Sequence, residues 1–368
     1  MSDDAELDIA GESVDEPPLE PVADAAASAA GTAPGHETSA PATERTVPER
    51  RRWAALEISS WVVTAVVGAV VATQAVGWSR GGLVAAAQSM TPYLTLLLLP
   101  ILGLATVRRW WTVSAAVGAA ALGMAVIAVP LIFPDRGPAV ASQAPRVRVA
   151  VVNLLYDNDR IAEAAAAIGQ TGPDVIVFTE YTVAHQAELS TQPFAEDFRY
   201  RIERHGLLDD GTAVWSRFPL AAQPASSMPS MTNHQVDVTV KVTEGRQFRL
   251  WAVHPPYPFD PGWAGELVSI ADRASTINAP LLIAGDFNAS YWHPAFRAIL
   301  DKGFTDAHIA RGRGWSTSWP TNRWLPAFVR LDHALTNHGL AVVAVDDFDV
   351  PGSDHRGFVV TVAAAPQR

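Results

Sequence analysis

The sequence of 368 residues contains no cysteine, and only 18% of its residues are charged. The absence of cysteine excludes disulfides, thiol catalysis and cysteine-ligated zinc sites, and leaves the chain chemically safe in an oxidising compartment. Lysine is also scarce, with 2 residues against 25 arginines, a bias associated with G+C-rich bacterial genomes. Low charge together with 49% hydrophobic residues, unevenly distributed along the chain, argues against an ordinary soluble enzyme.

The net charge of −11 is concentrated near the start of the sequence. Residues 1–52 carry 12 acidic and 4 basic side chains, residues 53–144 carry 2 and 4, and residues 145–368 carry 24 and 19. Nucleic-acid affinity comes largely from neutralised phosphates, so an acidic C-terminal region argues against long-range attraction of nucleic acid. Because the beginning of the chain lacks aromatic residues and apolar periodicity, we predict that residues 1–52 form a disordered cytoplasmic tail.

Three long, uncharged apolar runs follow the tail. Each has the ~20 residues needed to cross a bilayer, and three in close succession are not expected in a soluble core. The first run begins only after position 57, which argues against a cleaved export signal. Pro92 and Pro100 predict that the second helix is kinked or starts late. We predict a membrane region at 53–135, with transmembrane helices at about 58–78, 83–107 and 110–133, and a linker at 136–145.

The placement of arginine predicts the orientation of these spans. Short flanks rich in arginine remain in the cytoplasm. Six arginines flank the side of the N-terminus (Arg45, Arg50, Arg51, Arg52, Arg108 and Arg109) and two flank the other side (Arg80 and Arg136). We therefore predict a multi-pass protein of the cytoplasmic membrane, with a cytoplasmic N-terminus and an extracytoplasmic C-terminal domain. This location removes nucleoside triphosphates and chromosomal DNA from the expected substrates.

The pattern after the linker changes to short β-type runs that alternate with helical ones. Many strands with a few interspersed helices over residues 146–368 predict one α/β sandwich, in which two sheets pack together with helices outside. The strand candidates are 146–153, 174–180, 212–216, 236–242, 248–254, 280–286, 330–336, 340–348 and 357–363, and the helix candidates are 158–169, 263–276 and 294–301.

Polar residues end four of these apolar strands: Asn153, Glu180, His254 and Asp286. A polar group at the end of a buried strand is costly unless it is paired or bound to a ligand, so four of them indicate a common site. Each alone has an ordinary explanation as a cap, a turn or an edge residue. Together with the segments RLDH (330–333) and SDH (353–355), the four predict a single functional site.

These residues occur in the order typical of a known superfamily. The series Asn153, Glu180, GTAVWSRFP (211–219), His254, GDFNA (285–289), Asp332 and SDH (353–355) resembles the endonuclease/exonuclease/phosphatase superfamily, which includes deoxyribonuclease, abasic-site endonuclease, sphingomyelinase and inositol phosphatase. The resemblance covers residues 146–364 and implies a deoxyribonuclease-like four-layer fold. The spans and the TSWP segment (317–320) make it similar to a bacterial membrane-bound branch that includes teicoplanin-resistance proteins. The short stretch between Glu180 and His254 departs from the nucleases, which disfavours nucleic-acid binding.

Phosphate ester hydrolysis explains the chemistry of these residues. A hard cation must neutralise the phosphoryl oxygens, and oxygen ligands such as those of Glu180 and Asn153 suit Mg²⁺. The resemblance adds Asp354 to the metal shell or its supporting loop, and implies Mg²⁺ or Mn²⁺ as the cofactor.

The resemblance also implies the catalytic roles. His355 is the base that activates water, and Asp332 orients its ring and stabilises its charge. Asp286 positions or polarises the attacking water, and Asn288 donates a hydrogen bond to the developing phosphorane. His254 contacts the phosphate or protonates the leaving oxygen.

A loop with several arginines and tryptophans has two interpretations, which the sequence leaves open. It is a lid whose Arg311, Arg313 and Arg323 grip a diphosphate while Trp319 meets a lipid, or it is a loop held by aromatic packing with solvated arginines. Among the remaining histidines, we expect ordinary surface or strand-face positions, and only His293 is a candidate for the mouth of the site.

We therefore expect a membrane-anchored, metal-dependent phosphohydrolase at the outer face of the cytoplasmic membrane. Its expected partners are the lipid bilayer and a phosphorylated, lipid-linked substrate, since tethering confines enzyme and lipid to one surface. No protein partner is inferred. Two alternatives remain: an extracytoplasmic endonuclease or exonuclease, and a catalytically silent binding or resistance module in the membrane.

Overall fold

The computed structural model describes residues 49–141, 143–224 and 231–365. Most of the predicted tail, residues 1–48, lies outside this part of the chain. Residues 49–52 form the first turn of a helix, and the predicted tail boundary at residue 52 stays a prediction. The N-terminal helices are α1 (Glu49–Ala75), α2 (Gly82–Ser89), α3 (Thr91–Leu96), α4 (Leu98–Arg108) and α5 (Trp111–Ile132).

Among the described residues, three helical segments are long and apolar enough to cross a membrane: Glu49–Ala75, Thr91–Arg108 and Trp111–Ile132. The second segment begins later than the predicted 83–107. The chain breaks between α2 and α3 at Met90, and Pro92 occupies the first turn of α3. Proline lacks an N–H group and fits best in the first turn of a helix, which favours a new helix at α3 over a continuous one. The short helix α2 is therefore separate from the candidate spans.

The remaining helices and strands form two six-stranded mixed sheets with helices outside. This arrangement is the predicted two-sheet α/β sandwich. The strands are β1 (Arg146–Asn153), β2 (Val175–Thr179), β3 (Tyr200–Arg204), β4 (Thr212–Ser216), β5 (Leu220–Ala222), β6 (Val236–Thr243), β7 (Arg246–Val253), β8 (Leu281–Asp286), β9 (Thr305–Asp306), β10 (Asp332–Thr336), β11 (Leu340–Asp349) and β12 (Arg356–Ala364). The helices are α6 (Ile161–Gln170), α7 (Val183–Leu189), α8 (Trp263–Ser275), α9 (Pro294–Asp301) and α10 (Ala307–Ala310), with a 3₁₀ turn at Pro193–Asp197. The strand orders are β11-β12-β1-β2-β4-β3 in one sheet and β5-β6-β7-β8-β10-β9 in the other.

The main apolar core lies between the two sheets. Alternate residues of facing strands enter it, such as Val149 and Val151 of β1 and Leu250 of β7, as the two-residue period of a strand requires. A second apolar layer, with Trp251 and Phe296, lies under α8 and α9. A third layer packs α6 on the outer face of the other sheet. The result is a four-layer sandwich of helix, sheet, sheet and helix.

The strand pairing brings the ends of several strands to one edge of the sandwich. β1 and β2 are parallel, and so are β7 and β8, so each pair ends at the same edge of its sheet. β10 runs antiparallel to β8, with Asp332 directly opposite Asp286. The polar residues that follow these strands are therefore neighbours in space, although they are distant in sequence.

The N-terminal helices pack on this sandwich through specific polar contacts. His293 Nε2 lies 2.9 Å from the carbonyl oxygen of Ala85 and 3.0 Å from Ser89 Oγ. The backbone N–H of Ala295 donates to Ser79 Oγ at 3.0 Å. These contacts hold α2 and the turn before it against the start of α9.

Candidate active site

The backbone is left-handed at two predicted site residues. Glu180, directly after β2, has φ 54°, and Asn288, two residues after β8, has φ 48°. Leu155, two residues after β1, has φ 60°. Side chains other than glycine adopt this conformation at a cost of about 1 kcal/mol or more, and such positions concentrate at functional sites. The three sharp turns direct the chain away from the sheet edge and leave a concave site there.

Asn153 links two carboxylates at the centre of the site. Its Nδ2 donates to Glu180 Oε1 at 2.8 Å and to Asp286 Oδ2 at 3.0 Å. The Oδ1 atom of Asn153 accepts from the backbone N–H of Leu155 at 2.9 Å. Glu180 also accepts from the backbone N–H of Tyr156 at 3.0 Å. Asn153 thus fixes the spacing of two acidic groups, while its predicted role as an oxygen ligand stays a prediction.

His355 and Asp332 form a buried pair. His355 Nδ1 lies 2.8 Å from Asp332 Oδ2, and its Nε2 lies 3.6 Å from Asp286 Oδ2. Burial opposes a charge on the ring, but the carboxylates of Asp332, Asp286 and Asp354 outweigh it and raise the pKa of His355 to about 10. The same pairing keeps the pKa of Asp332 low despite its burial. In the absence of a cation, the imidazole therefore holds a proton on the nitrogen that faces Asp286.

Asp286, Asn288 and His254 form the opposite side of the site. Asp286 Oδ1 accepts the backbone N–H of Asn288 at 2.7 Å, which fixes the turn after β8. His254 Nε2 lies 3.8 Å from Asp286 Oδ2 and 3.3 Å from Asn288 Nδ2. The amide of Asn288 also donates to the carbonyl oxygen of Pro255 at 3.0 Å. Asn288 and His254 therefore place nitrogen atoms beside the carboxylate of Asp286, which also lies close to Asn153 and His355.

The SDH segment is fixed by hydrogen bonds from both sides. Ser353 Oγ donates to the carbonyl oxygen of Asn153 at 2.8 Å and accepts the backbone N–H of His355 at 3.0 Å. Asp354 Oδ2 accepts the indole N–H of Trp319 at 2.8 Å, and its Oδ1 lies 3.9 Å from His355 Nε2. Asp354 thus lies beside His355, and its predicted place in the metal shell stays a prediction.

The donor set of the site fits a hard divalent cation. Glu180, His254 and Asp286 present one ligand atom each within 4.8 Å of one another, as do Asp286, Asp332 and His355. Burial raises the pKa of Glu180, which indicates an unfavourable negative charge that a cation would stabilise. Within the described residues, Asp332 Oδ1 and two further buried site atoms, Asp354 Oδ1 and His254 Nδ1, lack a hydrogen-bond partner. Surplus carboxylates, and buried oxygen and nitrogen atoms without a hydrogen-bond partner, are features that suit a metal site.

The cluster opens into a cavity of about 530 Å³. Glu180, His254, Asp286, Asn288, Asp354 and His355 line its polar side, and the structure therefore brings these predicted residues together. Its other wall contains Ala86, Ser89 and Met90 from α2 and the residue after it, with Tyr257, Phe259 and Phe328 from the sandwich. One helix of the N-terminal region thus forms part of the catalytic cavity.

The structure places the three arginines of the predicted lid outside the lining of this cavity. Arg313 is held by Asp347 Oδ2 at 2.6 Å and by the carbonyl oxygen of Val345 at 2.7 Å, outside the cavity. Arg311 is exposed after α10. Arg323 lines a separate surface cavity with Arg160 and Arg356. These arginines occupy surface or structural positions, and their role in substrate binding stays a prediction.

Trp319 is the one member of the predicted lid set that lines the catalytic cavity. His293, the histidine expected near the mouth, also lines it. His333 lies at a buried position of β10, where its Nδ1 pairs with Asp306 Oδ2 at 2.7 Å.

The sequence did not identify two contributors to the site. Arg330, within the RLDH segment, is buried, contacts the carbonyl oxygen of Asp332 at 3.4 Å and donates to Asp347 Oδ1 at 2.8 Å. Its position two residues before Asp332 was the available signal. The wall from α2 had no such signal, since nothing in an apolar segment specifies which distant loop it will contact.

Comparisons with known proteins agree with this geometry. A family model described as endonuclease/exonuclease/phosphatase family matches residues 150–355. Solved structures that are similar to the chain include an endonuclease/exonuclease/phosphatase family protein from Bacteroides thetaiotaomicron, with 16% identity over 62% of this chain and 98% of that chain and a TM-score of 0.48.

Two other solved structures have a stated activity. A mannosyl-6-phosphatase from Bacteroides thetaiotaomicron has 16% identity over 59% of this chain and 99% of that chain, with a TM-score of 0.47. A 3′ phosphatase from Neisseria, solved with a product DNA hairpin, has 15% identity over 60% of this chain and 100% of that chain, with a TM-score of 0.46. A comparison with curated proteins finds no match. Since the family model spans more than half of the sequence and its limits enclose the site from β1 to His355, the chain belongs to the endonuclease/exonuclease/phosphatase family.

Proposed function

We propose that this protein is a membrane-anchored, metal-dependent phosphohydrolase that cleaves a phosphate ester or diphosphate bond of a lipid-linked substrate at the outer face of the cytoplasmic membrane. The observation that carries the proposal is the composition of the catalytic cavity. One wall presents carboxylates and histidines, and the other presents α2, which directly precedes a candidate membrane span. A substrate that enters this cavity therefore meets a phosphate-processing cluster beside an element of the membrane region.

The chain's own residues supply the elements of hydrolysis. Hydrolysis forms a bond between a water oxygen and phosphorus and breaks the bond from phosphorus to the leaving oxygen, while one proton leaves the water and one joins the leaving group. His355 Nε2 and Asp286 Oδ2, 3.6 Å apart, define a place where a water can be held. A bound cation would neutralise the carboxylates that keep His355 protonated, so that its Nε2 could then accept the proton of that water. Asp332 keeps the imidazole oriented through Nδ1. Asn288 and His254 are placed to donate to phosphoryl or leaving oxygens.

Glu180 and Asp286 are the residues that would hold the cation, with Asp354 and Asn153 in support. When bound, Mg²⁺ or Mn²⁺ would neutralise charge on the phosphoryl oxygens and polarise the bond that breaks. A cation with few protein ligands retains waters and leaves positions for substrate phosphate. The linking amide of Asn153 keeps the two carboxylates close enough to share one ion.

The charge of the flanks supports the outer-face location. Arginines on the N-terminal side outnumber those on the other side by six to two. With three crossings, the catalytic sandwich faces outward and meets lipids whose phosphate groups lie at the outer surface. The proposed similarity to teicoplanin-resistance proteins fits an envelope substrate of this kind, and a role in resistance stays a prediction of that resemblance.

A nuclease is the second candidate, because relatives in this family include a 3′ phosphatase solved with DNA. The acidic outer region and the wall formed by α2 favour a lipid over an extended nucleic acid. A silent binding module is disfavoured because His355, which is paired with Asp332, and the metal-fitting carboxylates of Glu180 and Asp286 line one cavity.

Phosphate release by the full-length protein in lipid vesicles tests the proposal. The substrates are a polyprenyl diphosphate, a phospholipid and a DNA hairpin, each with and without Mg²⁺. We expect Mg²⁺-dependent release from the lipid diphosphate. The rate should fall by roughly 10²–10⁴-fold in His355→Ala, since removal of a general base has effects of that size.

His338→Ala is the matched control, because His338 is exposed in the turn between β10 and β11. It should retain the wild-type rate. Preferential cleavage of DNA would replace the proposal by the nuclease. If no substrate reacted, while a cellular resistance phenotype survived His355→Ala and vanished without the sandwich, the binding module would replace it.

A further inference from the structure

We propose that the hydrocarbon chain of the substrate occupies an apolar groove between the membrane helices and the sandwich; this inference rests on the proposed function. The groove, called the chain groove below, has a volume of about 310 Å³. Its lining includes Tyr93 and Leu96 of α3, Met124 of α5, and Trp292, Trp315 and Phe328 of the sandwich.

The chain groove adjoins the catalytic cavity. Phe328 and Val329 line both spaces. Ser89 and Met90 line the catalytic cavity, and the residues that follow them at the start of α3 line the groove. α3 begins the second candidate membrane span. The catalytic cavity and the chain groove are therefore adjacent, in the same order as α2 and α3 along the polypeptide.

Charged groups beside the chain groove are paired. His333 Nδ1 pairs with Asp306 Oδ2 at 2.7 Å, and Arg330 Nη2 donates to Asp347 Oδ1 at 2.8 Å. Most of the surface left to contact a ligand belongs to aromatic rings and aliphatic side chains. Such a lining binds hydrocarbon, whose burial is favourable in proportion to area, and offers little to a sugar or a nucleotide.

The walls of the chain groove are held in place by contacts between the helices and the sandwich. Tyr93 Oη donates to the carbonyl oxygen of Phe328 at 2.7 Å, and Tyr291 Oη donates to that of Ile127 at 2.8 Å. Leu131 of α5 packs in the same apolar cluster as Tyr291. A preformed groove binds a flexible chain with a smaller ordering cost than a groove that must assemble.

An amphiphile fits this arrangement in one orientation. Its phosphate lies at the carboxylate and histidine cluster, and its chain passes Phe328 and continues beside α3 and α5. A short, water-soluble phosphate ester fills the catalytic cavity alone. The groove therefore selects long-chain substrates and takes them from the membrane rather than from solution.

Filling the groove tests this selection in the full-length protein. Met124→Trp places a large ring in the groove, and Leu122→Trp places the same ring on the exposed face of α5. The measurement is the ratio of kcat/KM for a long-chain and a short-chain polyprenyl diphosphate. We expect Met124→Trp to lower this ratio about tenfold, equivalent to the loss of about two buried methylenes. Leu122→Trp should keep it.

A binding measurement distinguishes failure of the groove from failure of the proposed function. Because the chain has no cysteine, Leu96→Cys introduces a single thiol in the groove and Val107→Cys a single thiol at an exposed position of α4. Both are made in His355→Ala to prevent turnover. The rate of modification by a thiol reagent is measured with and without long-chain polyprenyl diphosphate in Mg²⁺. We expect protection at position 96 of about fivefold or more, and none at position 107.

The two readouts separate the outcomes. A lowered ratio with protection at position 96 establishes the groove. An unchanged ratio without protection overturns it, even if the lipid is hydrolysed. If wild type hydrolyses no phosphate lipid, the proposed function fails, and protection at position 96 alone still decides whether the groove binds a lipid chain.

Discussion

The pair formed by His355 and Asp332 shows how burial and charge act together on one side chain. Burial alone would favour a neutral imidazole, yet the surrounding carboxylates keep it protonated. The proton is therefore held on an imidazole whose orientation is fixed, since His355 Nδ1 lies 2.8 Å from Asp332 Oδ2. Removing that carboxylate changes both the orientation and the proton affinity of the ring.

Asp332→Asn should lower kcat by roughly 10²–10⁴-fold with little change in KM, because an amide neither stabilises the charged ring nor fixes its tautomer. Steady-state kinetics on a lipid diphosphate measures this. Asp349→Asn is the matched control, since Asp349 is an exposed residue paired with Arg356. A variant at position 332 with kcat within about twofold of wild type would contradict the assigned role.

Glu180→Gln should raise the Mg²⁺ concentration required for half-maximal activity by at least about tenfold, because it removes one of two carboxylates while keeping the side-chain shape. Calorimetric titration with Mg²⁺ gives the affinity directly. Glu188→Gln, at an exposed position of α7, serves as control. Equal Mg²⁺ affinity in Glu180→Gln and wild type would remove Glu180 from the metal site.

Much of the site could be predicted at the residue scale because strand ends are easy to recognise. Asn153, Glu180, His254 and Asp286 each follow an apolar run, and parallel neighbours end at one edge. The positions of the loop arginines could not be predicted in this way, since no periodic pattern fixes where an irregular loop directs its side chains. Arg313 is drawn outward by Asp347, a partner on another strand that the sequence does not identify.

At the scale of elements, the contact between α2 and α9 depends on a neutral histidine. Burial lowers the pKa of His293 to about 4. Its Nδ1 accepts the backbone N–H of Ser290 at 2.8 Å, so only Nε2 is available to donate to the carbonyl oxygen of Ala85. Arg297 and His333, the charged and titratable groups nearest to it, also oppose a positive ring.

Acidification should therefore loosen α2. The folded pKa lies below the value of about 6.5 in an unfolded chain, so the stabilisation is complete above about pH 6.5 and disappears as the pH falls towards 4. The full loss is about 3 kcal/mol. Hydrogen exchange of residues 82–89 should show protection that declines between about pH 7 and pH 5.

His293→Gln cannot titrate, so its α2 protection should be lower at neutral pH and flat across this interval. If the variant lost protection with the same pH dependence as wild type, another group would be responsible.

The hydrophobic periodicity of the sequence predicted most of the longer helices and strands. β1, β4 and α9 have the predicted bounds, and most other strands differ from prediction by one or two residues. The missed elements are short or lie at edges, such as β3 and β5, whose side chains are only partly buried. Partial burial weakens the alternation on which strand prediction depends.

At the scale of the whole molecule, the orientation of the chain in the membrane decides which substrates the site can meet. A periplasm-active reporter fused after Arg368 should be active, and the same reporter fused after Arg109, between the second and third candidate spans, should be inactive. Protease accessibility of the sandwich in intact cells checks the result. Activity of the fusion at Arg109 and not at Arg368 would reverse the orientation and the substrate class with it.

The position of β12 has a consequence for the time at which activity arises. β12 lies between β11 and β1, and it pairs with the first strand of the sandwich through Arg146 and Ala363. During synthesis it leaves the ribosome after the other eleven strands, and His355 lies immediately before it. A nascent chain therefore carries Glu180, Asp286 and Asp332 before it carries His355, and the candidate site is complete only when the last strand closes the sheet.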